Sequence, residues 1–171
     1  MAQENRKMAL VVDDVGTTAA VIAQILGNLG YGHVDAVRSV REAQDKLASA
    51  NYSLILSDIH MQPADGLQFL LSLRHEASTA SIPCLFVTNE VRALYVEVAQ
   101  AAGANGYILK GNGTAQLQAK IEEALAIGRA RSKRPIFCPP GRFIPVYRAR
   151  GGNVPVEPLL AGAWAGEFSA P

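Results

Sequence analysis

The sequence predicts an α/β fold, a doubly wound parallel sheet of five strands and five helices followed by an extended C-terminal tail. Three observations predict it. Short apolar runs alternate with segments of helical periodicity five times over the first 128 residues. Three of those runs are almost wholly apolar, as strands covered on both faces of a parallel sheet are. Seven of the nine prolines fall in residues 129–171, where they block helix interiors and central strands.

The first run, residues 9–12, leads into a helix over 17–29. Val21, Ile22, Ile25 and Leu29 share one face of it, and Gly30 sits just past its end. The second run, 33–37, is more polar and suits a sheet edge. A helix over 39–50 opens with Ser39-Val-Arg-Glu42, the spacing of a capping box. After the third run, 54–57, a helix over 66–75 turns Leu67, Leu70 and Leu71 inward. The fourth run, 83–88, precedes a helix over 90–102. The fifth, 106–110, precedes a last helix with Thr114 as its N-cap. Leu117, Ile121 and Leu125 recur on that helix at a helical interval. The domain is thus expected over 1–128 and the tail over 129–171.

Composition limits what the chain can be. At 171 residues with 49% apolar and 18% charged residues, it is globular and has room for one core. The net charge of +1 hides an asymmetry: residues 1–128 carry 9 Lys/Arg against 13 Asp/Glu, and residues 129–171 carry 7 against 2. No apolar run is long enough to span a bilayer, and the polar start MAQENRK does not resemble a secretion signal. Cys84 and Cys138 make no disulfide framework, so a cytoplasmic setting is expected. The basic cluster Arg129, Arg131, Lys133 and Arg134 follows the last helix, where cations suit the helix dipole. The tail is too rich in proline to form a helix-turn-helix, so no DNA-binding domain is expected in it. The tail also holds Phe137, Phe143, Tyr147, Trp164 and Phe168, more aromatic surface than a solvated linker needs.

In an open parallel sheet, ligands sit beyond the carboxyl ends of the strands. There the sequence places Asp13-Asp14, Asp58, Thr88 and Lys110. Three carboxylates at one edge repel one another unless a cation compensates them. A hard divalent ion with oxygen ligands does so, and Mg²⁺ prefers one or two carboxylates plus phosphate oxygens and water. One carboxylate is then free to act as a nucleophile toward phosphorus. Lys110 offers positive charge and Thr88 a hydroxyl for phosphoryl oxygens. Any one of these residues alone would read as a cap, a turn or a solvated side chain. Their joint occurrence at successive strand ends carries the functional reading.

The array resembles the receiver domains of two-component response regulators, especially single-domain chemotaxis-type ones, over about residues 6–128. Asp65-Gly66 and the run Gly103-Ala-Asn-Gly106-Tyr107 into Lys110 support the likeness. The resemblance implies a flavodoxin-like fold, with Asp58 as phospho-acceptor supplied by a histidine kinase or phosphotransfer protein. It implies Mg²⁺ held by Asp13 or Asp14, by Asp58 and by the main-chain carbonyl of His60. Thr88 and Tyr107 would be a switch pair, and Lys110 would contact the phosphoryl group. Such a protein signals rather than turns over substrate, through a protein target and a surface around residues 90–128.

Some positions depart from the family. Gly111 follows the lysine where proline is common, and Gln62-Pro63 shifts another proline by one place. Asn89 is larger than the usual residue after the threonine. His60, Asn89 and Glu90 flank the acceptor and are expected to tune rates, whereas His33 and His75 read as surface or packing residues. Asp13-Asp-Val15-Gly-Thr17 also resembles the nucleophile loop of haloacid-dehalogenase-type phosphatases, but Val15 replaces the second aspartate that chemistry requires. A receiver that no longer takes phosphate is the other rival, and the intact acidic, hydroxyl and lysine set argues against it.

Overall fold

A computed structural model describes the backbone of residues 7–111, 113–131, 146–149 and 152–155, and the side chains as far as residue 126. Its elements run β1 (Met8–Val12), α1 (Gly16–Asn28), β2 (His33–Val37), α2 (Val40–Ser49), β3 (Leu54–Ser57), α3 (Gly66–His75), β4 (Cys84–Thr88), α4 (Ala93–Ala101), β5 (Gly106–Leu109) and α5 (Thr114–Arg131). The first five strands form one parallel sheet in the order β2-β1-β3-β4-β5. The order reverses at β1, so β1 and β3 lie side by side and bring Asp13 and Asp58 to the same edge.

Two apolar layers clamp the sheet. One face packs Leu10, Ile55 and Phe86 against Leu70, Leu73 and Tyr95. The other packs Val11, Leu56 and Val87 against Ile22, Ile25 and Ile121. Consecutive strand residues thus feed opposite layers, which explains why the central runs are apolar throughout. The edge strands β2 and β5 are less covered, with His33, Ala36 and Leu109 exposed. Cys84 is fully buried in β4, and burial pushes its thiol up to about 12, out of reach of redox chemistry at neutral pH.

The structure corrects several details. α4 begins at Ala93, so Glu90, Val91 and Arg92 form a loop rather than a first helical turn. Thr114 is the first residue of α5, and the Gly113 carbonyl accepts the Leu117 N–H in the capping position. On α3 the buried residues include Phe69 and Leu73, while Leu71 is only half-buried. The Ser39 box is half formed: Ser39 accepts the Glu42 N–H, but the Glu42 carboxylate takes the Arg38 N–H. The complete box belongs to α3, where Asp65 and Gln68 cap each other's backbone. A cis peptide bond joins Gln62 and Pro63.

At the amino end of the sheet, Arg74 works as a fork. Its Nε donates to the Gly103 carbonyl (3.1 Å), Nη1 to those of Ala80 and Ile82, and Nη2 to Asn105 Oδ1. Asn105 Oδ1 also accepts the Cys84 N–H, so this one network ties α3 to the loops entering β4 and β5. Gly103 closes α4 at φ +91°, a left-handed conformation that favours glycine. In the segment expected to be irregular, β6 (Val146–Ala149) and β7 (Gly152–Pro155) pair as antiparallel strands. Cys138, Lys133, Arg134, Phe137, Phe143, Trp164 and Phe168 lie outside the described residues.

Candidate functional site

Parallel pairing aligns Val12 with both Val37 and Ser57, so β1 and β3 end level. The chain continues that alignment past the strands, because the Asp58 N–H donates to the Val12 carbonyl at 2.9 Å. Asp13 and Asp58 therefore emerge next to each other, and Asp14 follows at the rim. Each of the three can offer one carboxylate oxygen to a cluster spanning no more than 4.8 Å. Asp13 and Asp58 are buried and Asp14 is half-buried.

Lys110 closes the cluster. Its Nζ donates to Asp13 Oδ2 at 2.6 Å and to Asp58 Oδ2 at 2.8 Å. Its backbone N–H donates to the Thr88 carbonyl, which fixes the end of β5 against the end of β4. The other Asp58 oxygen, Oδ1, accepts the Ile59 N–H at 2.6 Å. Burial raises the Asp13 pKa above its ordinary value, and the Lys110 and Val15 hydrogen bonds only partly offset it. For Lys110, burial works to lower the pKa, but the bonds to both carboxylates prevail and the net shift is upward. The ammonium is thus held charged between two acids.

A second constellation surrounds Glu90, whose buried carboxylate is gripped by Arg92 through Nε (2.7 Å), Nη2 and the backbone N–H. The imidazole Nε2 of His60 lies 2.8 Å from Glu90 Oε2. The Arg92 bonds, aided by His60, pull the Glu90 pKa down to about 2. Arg92 also lies 4.7 Å over the Tyr95 ring, and His60 meets that ring edge-on. His60 is therefore engaged by protein groups, not a loop side chain in water.

Thr88 is buried, and its Oγ1 accepts the Glu90 N–H at 3.3 Å. The Tyr107 hydroxyl donates to the Glu90 main-chain carbonyl at 2.8 Å. The ring is half-buried. Asn89 is exposed. His33 is a surface residue 3.2 Å from Asp35, and His75 is exposed, as expected.

Sequence reasoning thus identified every residue of the acidic edge but missed Arg92. A lone arginine in a loop carries no periodic signal, and its role depends on where α4 starts. Arg38 was also missed: its guanidinium donates from Nε and Nη2 to the Asp14 carbonyl.

The fold and the strand-end acidic cluster define a receiver-type signalling domain, and the chain belongs to the response regulator receiver domain family, whose model matches residues 9–122. It is 30% identical over 114 residues to the chemotaxis protein CheY of Pseudomonas aeruginosa, covering 67% of this chain and 92% of that protein. It is 26% identical over the same length to CheY-3 of Vibrio cholerae. Among solved structures, the chemotaxis response regulator CheY4 of Vibrio cholerae matches with a TM-score of 0.63 at 25% identity, covering 70% of this chain and 99% of that one. A phosphorylated cyanobacterial phytochrome response regulator shares the fold, with a TM-score of 0.65 at 22% identity. No helix among the described residues is long and apolar enough to cross a membrane.

Proposed function

We propose that the protein is a phosphoryl-accepting response regulator in which Asp58 takes phosphate from a histidine kinase or phosphotransfer protein in the cytoplasm. The observation that carries this reading is Lys110 bridging Asp13 and Asp58 at the carboxyl edge of the sheet. An Asp58 oxygen attacks phosphorus, the bond from phosphorus to the donor's imidazole nitrogen breaks, and the leaving imidazole takes up a proton. Hydrolysis later returns inorganic phosphate and the free carboxylate, so the protein carries a signal and is not a turnover enzyme.

The donor set suits Mg²⁺: three carboxylates, each with an oxygen in a shared cluster, are hard ligands of the kind it prefers. Asp13, Asp14, Asp58 and the main-chain carbonyl of His60 would hold it. Bound there, it supplies positive charge to the phosphoryl oxygens. Lys110 stabilises those oxygens from the other side, and Thr88 offers them its hydroxyl. Asp58, Lys110 and Thr88 are the residues that would touch the reacting group.

Phosphorylation would favour the arrangement in which Thr88 turns to the phosphoryl group and gives up the Glu90 N–H. Tyr107, tied to the carbonyl of the same Glu90, is the second member of the switch. His60, Asn89 and Glu90 would set rates at the mouth. The altered surface, within residues 90–128, would bind a downstream protein. The domain boundary near residue 128 and the separate character of 129–171 belong to the same proposal.

Labelling with acetyl phosphate, with and without Mg²⁺, tests it on wild type and Asp58→Asn. A receiver takes one phosphate per chain in a Mg²⁺-dependent manner and loses it slowly. Stable label on Asp58→Asn would remove Asp58 from its role, and multiple turnover would point to a phosphatase.

A further inference from the structure

β5 stops at Leu109, Lys110 crosses to the carboxylates, and Gly111 follows with no side chain to restrain its backbone. A lysine aimed at two acids needs a backbone that does not drift, because its four-carbon stem has many rotamers. The Thr88 carbonyl holds its N–H on one side. On the other side, Lys120 reaches back from α5, and its Nζ donates to the Leu109 carbonyl at 3.2 Å. The same Nζ lies 3.4 Å from where a Cβ on Gly111 would sit, so it packs along the glycine it spans.

We infer that Lys120 is a positioning residue for Lys110: by pinning the Leu109 carbonyl it supplies the stiffness that Gly111 withholds, and it couples phosphoryl transfer to α5. Lys120 is half-buried, about two helical turns inside α5, and among the described residues the ammonium paired with Asp13 and Asp58 is that of Lys110. This inference rests on the reading of Lys110 as the phosphoryl-contacting lysine.

The full-length protein tests it with Lys120→Met, Lys120→Arg and the Gly111→Pro, Lys120→Met double variant. Methionine keeps most of the stem and loses the donor, arginine keeps a donor, and proline restricts the backbone directly. No hydrogen bond from the Gly111 N–H to another backbone element is present to be lost among the described residues. Two readouts serve: the rate of Mg²⁺-dependent labelling by acetyl phosphate, and the ¹⁵N-detected ammonium resonance of Lys110. Lys120→Met slows labelling several-fold and weakens the Lys110 signal, with an unchanged thermal midpoint and Mg²⁺ affinity. Lys120→Arg behaves as wild type, and the double variant recovers most of the lost rate. Wild-type labelling in Lys120→Met overturns the inference, as does an arginine variant as slow as the methionine one or a double variant no faster. If wild type itself takes no label, the proposed function fails, and the ammonium signal alone then decides whether Lys120 braces Lys110.

Discussion

Gly66 lies directly against the backbone of Asp58: a Cβ at position 66 would sit 2.0 Å from the Asp58 carbonyl oxygen. The approach is forced by a tight return of the chain, since the Gly66 N–H donates to the Ile59 carbonyl at 2.8 Å. The neighbour is backbone, so it has no rotamer by which to give way. Gly66→Ala is therefore expected to cost about 1–3 kcal/mol and to shift the peptide that carries Asp58. Thermal unfolding should show the loss, and acetyl-phosphate labelling should slow beyond what the lower midpoint explains.

If the acidic cluster binds Mg²⁺ as proposed, the ion stabilises the fold. A ligand that binds only the folded chain adds about 1.4 kcal/mol at ten times its Kd. Mg²⁺ is therefore expected to raise the thermal midpoint of wild type, and much less that of an Asp13→Ala, Asp14→Ala double variant. An equal rise in both would move the metal elsewhere.

Acid should loosen the Glu90 constellation. The folded-state pKa of Glu90, about 2, lies below its ordinary 4.5. The sign follows: the stabilisation is fully present above 4.5 and is lost as pH falls from there through 2. Arg92 is half exposed, so solvent and salt will weaken the effect. Between about pH 5 and about pH 2, Glu90→Gln should lose less thermal stability than wild type does. Parallel curves would show that this pairing contributes nothing.

Thr88→Ala separates chemistry from switching. It strands the buried Glu90 N–H, at a cost of about 1 kcal/mol, yet leaves Asp58, Lys110 and the other carboxylates in place. Labelling should persist. Amide shifts that phosphorylation produces across α4 and β5 in wild type should shrink in the variant. Full-sized shifts would rule out Thr88 as the relay.

Much of this was legible in the sequence because strand ends in a parallel sheet report position directly. Asp13, Asp58, Thr88 and Lys110 each follow an apolar run, so order along the chain translates into one edge in space. The helix faces were read less well. Leu71 fits an inward face by spacing yet is only half-buried, because consecutive leucines on α3 offer two registers. Glu90 and Arg92 fit a helical turn by composition, yet α4 starts only at Ala93. In the fold they serve instead as a local ion pair, and Arg92 precedes the helix. Arg74 shows the limit, since its carbonyl partners lie 6, 8 and 29 residues away and leave no pattern in the chain.

That fork has a mechanical meaning. It fastens the C-terminal end of α4, through Gly103, to α3 and the approach to β4. The N-terminal end of α4 lacks a side-chain cap, and the Arg92–Glu90 pair and the Arg92–Tyr95 stack hold it near the mouth. The far end of α4 is thus tied by hydrogen bonds, while its near end rests on the buried Tyr95 ring and on Arg92 contacts that salt weakens. On the proposed phosphorylation of Asp58, amide exchange is therefore expected to change more at the mouth end of α4 than at its Gly103 end.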